Sequence, residues 1–406
     1  MRLVSYNLSV LLILFALLLQ SLAPNGLREG LLALNRGDLA AARGSLEDVS
    51  RREPENALVW AALAQVYFKS SEKEAALEAA RKAERFGPDN AAIQHALAMF
   101  YSGEGEPGKA AHFERRFAAS PAADDQAAVR AARLFLSAGD AQAALDTALA
   151  ALAQKDRAGL HHVAGLAYAA LKQPEKSVDH LRTAVRMEPR NEDFTFDLAQ
   201  GLLRDEQFAE ASTALEHAVQ SFPESAQIRL TLGVAYYGLR RFPEAVRLFL
   251  ETIAMAPDVE QPYIFLGRML DQAGDSLPTI QARLEAFRSR HPDNYWGSFL
   301  VAKALTFSGG TAAQIEPLLR ETIAKNGDLW EAHAELGDLL NRKRDYAGAA
   351  LEYERSAKLN PNESSIPFRL ARVYDRLHEP EKAAAQRDRH QSLLSQPKAG
   401  MGAQKQ

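Results

Sequence analysis

The 406-residue chain has no cysteine. That absence removes disulfides, a thiol nucleophile, cysteine metal sites and a lipidated cysteine together. Aromatic residues are scarce at 8%, and alanine is abundant, which favours closely packed helices over a sheet core. No charge of one sign dominates: 48 Lys and Arg stand against 52 Asp and Glu, for a net charge of -4. Nothing electrostatic therefore calls for a nucleic-acid partner. The motifs of several enzyme classes are missing as well, with no H-E-x-x-H, no P-loop and no G-x-S-x-G.

What is present is ordinary for a folded chain: 47% hydrophobic and 25% charged residues. One long apolar run occurs, in "MRLVSYNLSVLLILFALLLQSLAPNG" at the N-terminus. Arg2, the run Val10 to Leu19, and Ser21-Leu22-Ala23 follow the order of a secretory signal: basic start, apolar stretch, small-x-small exit. The uncharged stretch from Leu3 to Leu27 is also long enough to span a bilayer of about 30 Å. Pro24 is a poor residue to follow a cleavage point. Residues 1–23 are accordingly read as a signal peptide or a retained N-terminal membrane anchor. Arg2 holds the N-terminus inside under either reading, so the rest of the chain is expected outside the cytoplasm: periplasmic, secreted, or anchored in the inner membrane facing the periplasm.

Beyond that segment the prolines are spaced. Pro54, Pro88, Pro121, Pro189, Pro223, Pro257, Pro292 and Pro361 are separated by 34, 33, 68, 34, 34, 35 and 69 residues, the long gaps being double periods. A fixed period of this length marks a solenoid. Proline disfavours helix in the residue before it and so ends one helix. The Asn, Asp or Glu that follows accepts hydrogen bonds from the free N–H groups of the next. "EPENALVW", "GPDNAAIQ" and "EPRNEDFT" are one such punctuation repeated.

Each unit reads as two amphipathic helices. One site on the first helix is always small: Gly30, Ala64, Ala98, Ala132, Gly165, Ala199, Gly233, Gly267, Ala302, Gly337 and Ala371. Three residues later a large apolar residue follows in most units, as in Tyr67, Tyr101, Phe135 and Tyr236. A second small site recurs on the second helix, from Ala42 and Ala76 to Ala349 and Ala383. Small residues facing each other are expected to let the two helices approach closely. Two units depart: Ile280 and Ile315 replace the second small residue, and Pro278 and Pro317 fall near the start of second helices, where a first turn accommodates proline.

The clearest unit is "IRLTLGVAYYGLRRFPEAVRLFLETIAMAP" at 228–257, with Leu232-Gly233, Tyr236, Ala245, Phe249 and Pro257 in signature places. In these residues the chain resembles the tetratricopeptide repeat (TPR) family, of the exported bacterial type, over residues 24–397. The resemblance implies an all-α, right-handed superhelical solenoid of about eleven helix-turn-helix repeats whose first helices line a concave groove. Approximate units are 23–56, 57–90, 91–123, 124–157, 158–191, 192–225, 226–259, 260–294, 295–329, 330–363 and 364–397. The first is degenerate, with Glu29 in an apolar slot. The last second helix, "EPEKAAAQRDRHQSLL", is polar enough to cap the array. Residues 398–406 read as a disordered tail.

Candidate chemistry is thin. "GEGEPG" places Gly103, Gly105 and Gly108 in G-x-G-x-x-G spacing, but between two helices of one repeat, and Glu104 and Glu106 would repel phosphate. His161 and His162 are adjacent and diverge around a helix, leaving His180 as the one further ligand within reach. No cofactor and no metal are expected, and the chain is read as noncatalytic. Family members that grip chaperone tails carry Lys and Asn where this chain has Ala61, Gln65, His95 and Met99, so that activity is not carried over.

The reading is a scaffold or adaptor that binds a protein or peptide in the groove, without nucleic acid, and meets a membrane only through an uncleaved anchor. A glycan- or cell-wall-binding solenoid is the alternative, since groove aromatics also stack on sugars; an enzyme without a recognisable motif is the third. By family register, groove sites three residues before the small position hold Phe196, Leu230, Ile264, Phe299 and Phe368. The residue directly after it is Arg268, Lys303 or Arg372 in three of the last four units, with Asp338 the exception. Residues four apart share a helix face, so an apolar site and a cation are expected side by side. The same pattern also arises if the large residues are inter-repeat core and the cations solvated surface.

Overall fold

A computed structural model of the protein describes residues 25–395, and the proposed leader at 1–23 and tail at 398–406 lie outside them. The described residues form 22 α-helices and no strand, and no described helix is long and apolar enough to cross a membrane. The helices divide between two compact units, up to Gly201 and from Leu202 onward.

The first unit contains the hairpins Asn25–Arg36 with Leu39–Arg52, Ala57–Lys69 with Lys73–Phe86, Ala91–Gly103 with Pro107–Ala118, Ala127–Ser137 with Ala141–Leu152, and Ala158–Ala170 with Pro174–Met187. The helix Glu192–Arg204 carries the boundary. The second unit continues with Phe208–Ser221, then Ala226–Gly238 with Phe242–Met255, Gln261–Arg268 with Leu277–Arg290, Tyr295–Phe307 with Ala312–Lys325, Trp330–Arg342 with Tyr346–Leu359, and Ser365–Arg376 with Pro380–Ser395.

The punctuation acts as its chemistry demands. Asn56 accepts from the N–H groups of Leu58 and Val59, Asn90 from Ala92 and Ile93, Asn191 from Phe194, and Asn294 from Trp296. Each cap satisfies donors that no preceding turn can reach.

Within hairpins the chain turns through one left-handed residue at the same register. Gly37, Gly105, Gly139, Gly274 and Gly309 have positive φ there, and so do Ser71, Lys172, Glu206, Arg240, Arg344 and His378. Gly105 places the G-x-G-x-x-G stretch in such a turn, with Gly103 ending one helix and Pro107 starting the next. At Gly139 the turn is isolated as a backbone problem: φ is +80° and an added Cβ meets nothing within 4 Å. Gly139→Val is therefore expected to cost about 1–2 kcal/mol through backbone conformation alone, read as faster hydrogen exchange across Ala127–Leu152. Unchanged exchange would mean the turn accommodates another conformation.

The packing departs from the expectation that small residues face small ones. A Cβ on Gly30 would lie 2.6 Å from Leu46, on Gly165 2.6 Å from Leu181, on Gly233 2.7 Å from Phe249, and on Gly337 2.7 Å from Tyr353. The small site receives a large side chain projecting from the second helix of the same hairpin. Close approach thus comes from a knob entering a hole, the arrangement that fills space best between helices. Gly267 differs, since its Cβ would meet Leu300 of the next repeat at 2.2 Å.

The two irregular units also differ from expectation. Gln261–Arg268 is only eight residues long, and two 3-10 turns, Leu270–Gln272 and Gly274–Ser276, lie between it and the next helix around left-handed Gly274. Pro278 begins the following helix as expected, whereas Pro317 sits inside Ala312–Lys325, beyond its first turn. Ile280 and Ile315 are buried and fill space that alanine leaves elsewhere. At the other end, Ala383 is the buried residue of the capping helix Pro380–Ser395, as its polar sequence requires.

Candidate partner-binding surface

Three tyrosines tie successive repeats together. Tyr67 donates its hydroxyl to Glu47 at 3.0 Å and Tyr236 donates to Glu216 at 2.7 Å, each reaching the second helix of the preceding repeat; Tyr374 does the same to Glu354. A cation covers each ring: Arg43 on Tyr67, Arg241 on Tyr236 and Lys382 on Tyr374. Burial, and then Glu47, push the Tyr67 hydroxyl up to about 12, which keeps the donor protonated. These tyrosines are therefore engaged in structure. Their spacing of 20 residues from a glutamate is the signal the sequence carries for this role.

The first unit also holds a buried charge cluster. Glu114, on the second helix Pro107–Ala118, is 2% exposed. Arg130 donates to it at 2.7 Å and grips Asp124 through two contacts of 2.9 Å. His95 lies 2.8 Å from the other Glu114 oxygen. The neighbouring histidines separate as adjacent helical residues must: His161 Nδ1 is 2.9 Å from His180 Nδ1, while His162 Nε2 is 2.7 Å from Asp197. Among the described residues no three His, Asp or Glu side chains are grouped to hold a metal ion.

The candidate groove residues fall into two kinds. Phe196, in the first unit, is half-buried, as are Leu230 and Ile264 in the second. Phe299 is only 3% exposed and belongs to the core, whereas Phe368 is 47% exposed. Two of the expected pairs form: Lys303 lies 5.8 Å from the Phe299 ring centroid and Arg372 lies 5.9 Å from that of Phe368. Arg268 lies 5.9 Å from the ring centroid of Phe265. None of the three cations forms an ion pair with another described residue. Asp338 is held in structure, accepting from Arg369 at 2.7 Å and from the Tyr353 hydroxyl, which accounts for the break in the cationic row.

Two carboxylates share this surface and were not singled out from sequence. Glu331 and Glu335, one turn apart on Trp330–Arg342, are both half-buried. Burial pushes both carboxyls above the usual range, against the pull of Arg268 and Lys303 on Glu331 and of Lys303 on Glu335. Neither forms an ion pair with a described residue, although Glu331 accepts a hydrogen bond from its own backbone N–H. The signal available in sequence was their i, i+4 spacing on a first helix, which resembles any solvated helix face.

Helical hairpins repeated at one register define a helical-repeat protein. Tetratricopeptide repeat profiles match residues 27–91, 196–260 and 316–364, and a second such profile matches 158–191. Together they cover more than half of the chain, which belongs to the tetratricopeptide repeat family. The chain is 22% identical over 179 residues to intraflagellar transport protein 70A of Bos taurus, a match covering 43% of this chain and 27% of that protein. Among solved structures, yeast Tom70 is 12% identical, with a TM-score of 0.44 and coverage of 95% of this chain and 93% of that one. YrrB, described as a TPR protein with an unusual peptide-binding site, is 19% identical, with a TM-score of 0.37 and coverage of 45% and 95%.

Proposed function

We propose that the chain is a noncatalytic scaffold outside the cytoplasm that holds a segment of a partner protein against the first helices of its second unit. The observation that carries this reading is a set of cations, Arg268, Lys303 and Arg372, that neighbour aromatic rings and make no ion pair within the described residues. A cation left unpaired beside an apolar surface gains little for stability and is available to steer a partner. Exposed Phe368 adds an apolar anchor at the end of the row. Extended peptide, with its alternating side chains, is the ligand form that such a row of first helices accommodates.

Export is supported by the order of residues 1–23. Fusion of residues 1–30 to a reporter active only outside the cytoplasm is expected to give signal; an inactive, well-expressed fusion would overturn the location. Binding is tested with a partner recovered from envelope extract and titrated against the Arg268→Glu, Lys303→Glu double variant. Affinity is expected to fall about tenfold or more at low salt, with the gap narrowing at high salt as the charges are screened. Unchanged affinity and salt dependence would remove the second unit's first helices as the binding site. Sedimentation with peptidoglycan separates a glycan ligand from a protein one.

A further inference from the structure

The geometry points to a metal site in the first unit: His161 and His180 present two imidazole nitrogens to one divalent transition-metal ion, of which Cu(II) fits best. The site is built on the hairpin Ala158–Ala170 with Pro174–Met187 and is independent of the second unit's partner surface.

His161 stands where other repeats place a side chain that bonds the loop before its own helix. Trp60, Gln94 and Tyr263 donate there to the carbonyls of Pro54, Pro88 and Pro257, and His333 Nε2 donates to that of Gly327. His333 also meets Glu352 of the second helix at 2.7 Å through Nδ1, so both of its nitrogens are occupied. His161 breaks the pattern. Its Nε2 lies 2.9 Å from the Asp156 carboxylate, and its Nδ1 lies 2.9 Å from Nδ1 of His180 on the second helix.

A carboxylate only accepts, so Nε2 of His161 carries the proton and Nδ1 of the neutral ring presents its lone pair. Without a metal, His180 donates to that lone pair from its own Nδ1. The Nε2 of His180 makes no hydrogen bond with a described residue, so the proton can shift to that nitrogen and the metal replaces the bond between the rings. Two lone pairs are then set side by side. Burial, and then His161, push the His180 imidazole below its usual range, which keeps it neutral and able to coordinate at neutral pH. Asp156 behind His161 is the kind of outer partner that fixes the tautomer and orientation of a metal-binding histidine. The Tyr168 ring, 5.3 Å from that of His180, backs the second ligand.

The separation selects the ion. Metal–imidazole bonds of about 2.0–2.1 Å put two nitrogens about 2.9 Å apart when they meet at a right angle, and about 3.3 Å apart at a tetrahedral angle. The observed 2.9 Å matches neighbouring positions of a square-planar or tetragonal ion, the preference of Cu(II) and Ni(II), and not of tetrahedral Zn(II). Of these ions Cu(II) binds nitrogen ligands most strongly. The pair supplies two ligands; the His161 side chain is 18% exposed, which leaves the remaining positions open to water.

The test is titration of the full chain, held in mild detergent, with Cu(II). At one equivalent, electron paramagnetic resonance is expected to show hyperfine splitting from two imidazole nitrogens. His161→Ala and His180→Ala should each lose that signature, whereas His217→Ala, at an exposed histidine outside the pair, should keep it. Asp156→Ala, at a side chain 72% exposed, should weaken binding about 10–100-fold while keeping both ligands. That variant is decisive where removal of a histidine loosens the hairpin, which shows as fast hydrogen exchange without metal. Because the ion joins two helices, exchange across Ala158–Met187 should slow by up to about a hundredfold at a free Cu(II) concentration about 100 times Kd. Equal binding by the native chain and the three site variants, or no binding, would overturn the site. Binding that leaves exchange in this hairpin unchanged would place the ion elsewhere and overturn it as well.

Discussion

Arg130→Ala is expected to destabilise the hairpin Ala91–Ala118 by about 3–5 kcal/mol, the cost of removing one partner from a buried charge pair. Arg130 is 16% exposed and its guanidinium is shared between Glu114 and Asp124. Removing it leaves Glu114, at 2% exposure, with His95 as its nearest remaining partner. The carboxylate must then be protonated or opened to water, and either route loosens the helix that carries it. Hydrogen exchange on Pro107–Ala118 is the proper readout, because repeat arrays unravel locally and one melting temperature would average over them. The double variant Glu114→Gln, Arg130→Met should be far milder, since it removes both charges and keeps most of the volume. If Arg130→Ala exchanges like the native chain, Glu114 is not the isolated charge its surroundings suggest.

Gly233→Leu should cost roughly 1–3 kcal/mol through overpacking, with the upper end expected here. Even the first added carbon would lie 2.7 Å from Phe249 Cε1 and 3.0 Å from Cδ1. Phe249 is fully buried and stacked on Phe265 at a centroid distance of 5.1 Å, so the ring has nowhere to move. Gly201→Ala is the matched contrast. There a Cβ would meet Leu181 and Val178 at an ordinary 3.6 Å. Within a helix, alanine is favoured over glycine by about 1 kcal/mol, so Gly201→Ala should stabilise. Hydrogen exchange in Ala226–Met255 for the first, and in Pro174–Met187 and Glu192–Arg204 for the second, should move in opposite directions. Two losses would show that the repeat needs glycine at both sites for backbone reasons.

Helix boundaries were legible because they depend on local chemistry. Pro54 with Asn56, or Pro292 with Asn294, ends one helix and caps the next within a few residues, and both capping asparagines are seen bonded to the following N–H groups. Burial of the small sites was legible for a related reason: one side chain recurring at a fixed period has few roles besides contact with a neighbouring helix. What faced each site was not legible. Gly233 meets Phe249 rather than Ala245 because the hairpin's rotation decides which of several apolar residues enters the hole. Pro317 shows the same limit, lying inside Ala312–Lys325 rather than in the first turn expected for it.

The surface charges mark the boundary between the two kinds of information. Sequence alone determined that Arg268, Lys303 and Arg372 recur at one helical position, since recurrence is a property of order along the chain. Only the tertiary structure decided that Phe299 is core while Phe368 is exposed, and that Asp338 is spent on Arg369 and Tyr353. It alone left Glu331 and Glu335 half-buried without an ion pair among the described residues. The physical reason is that burial and pairing are set by which repeats stack on which, and those distances join residues about 30 apart in the chain, where no local propensity acts.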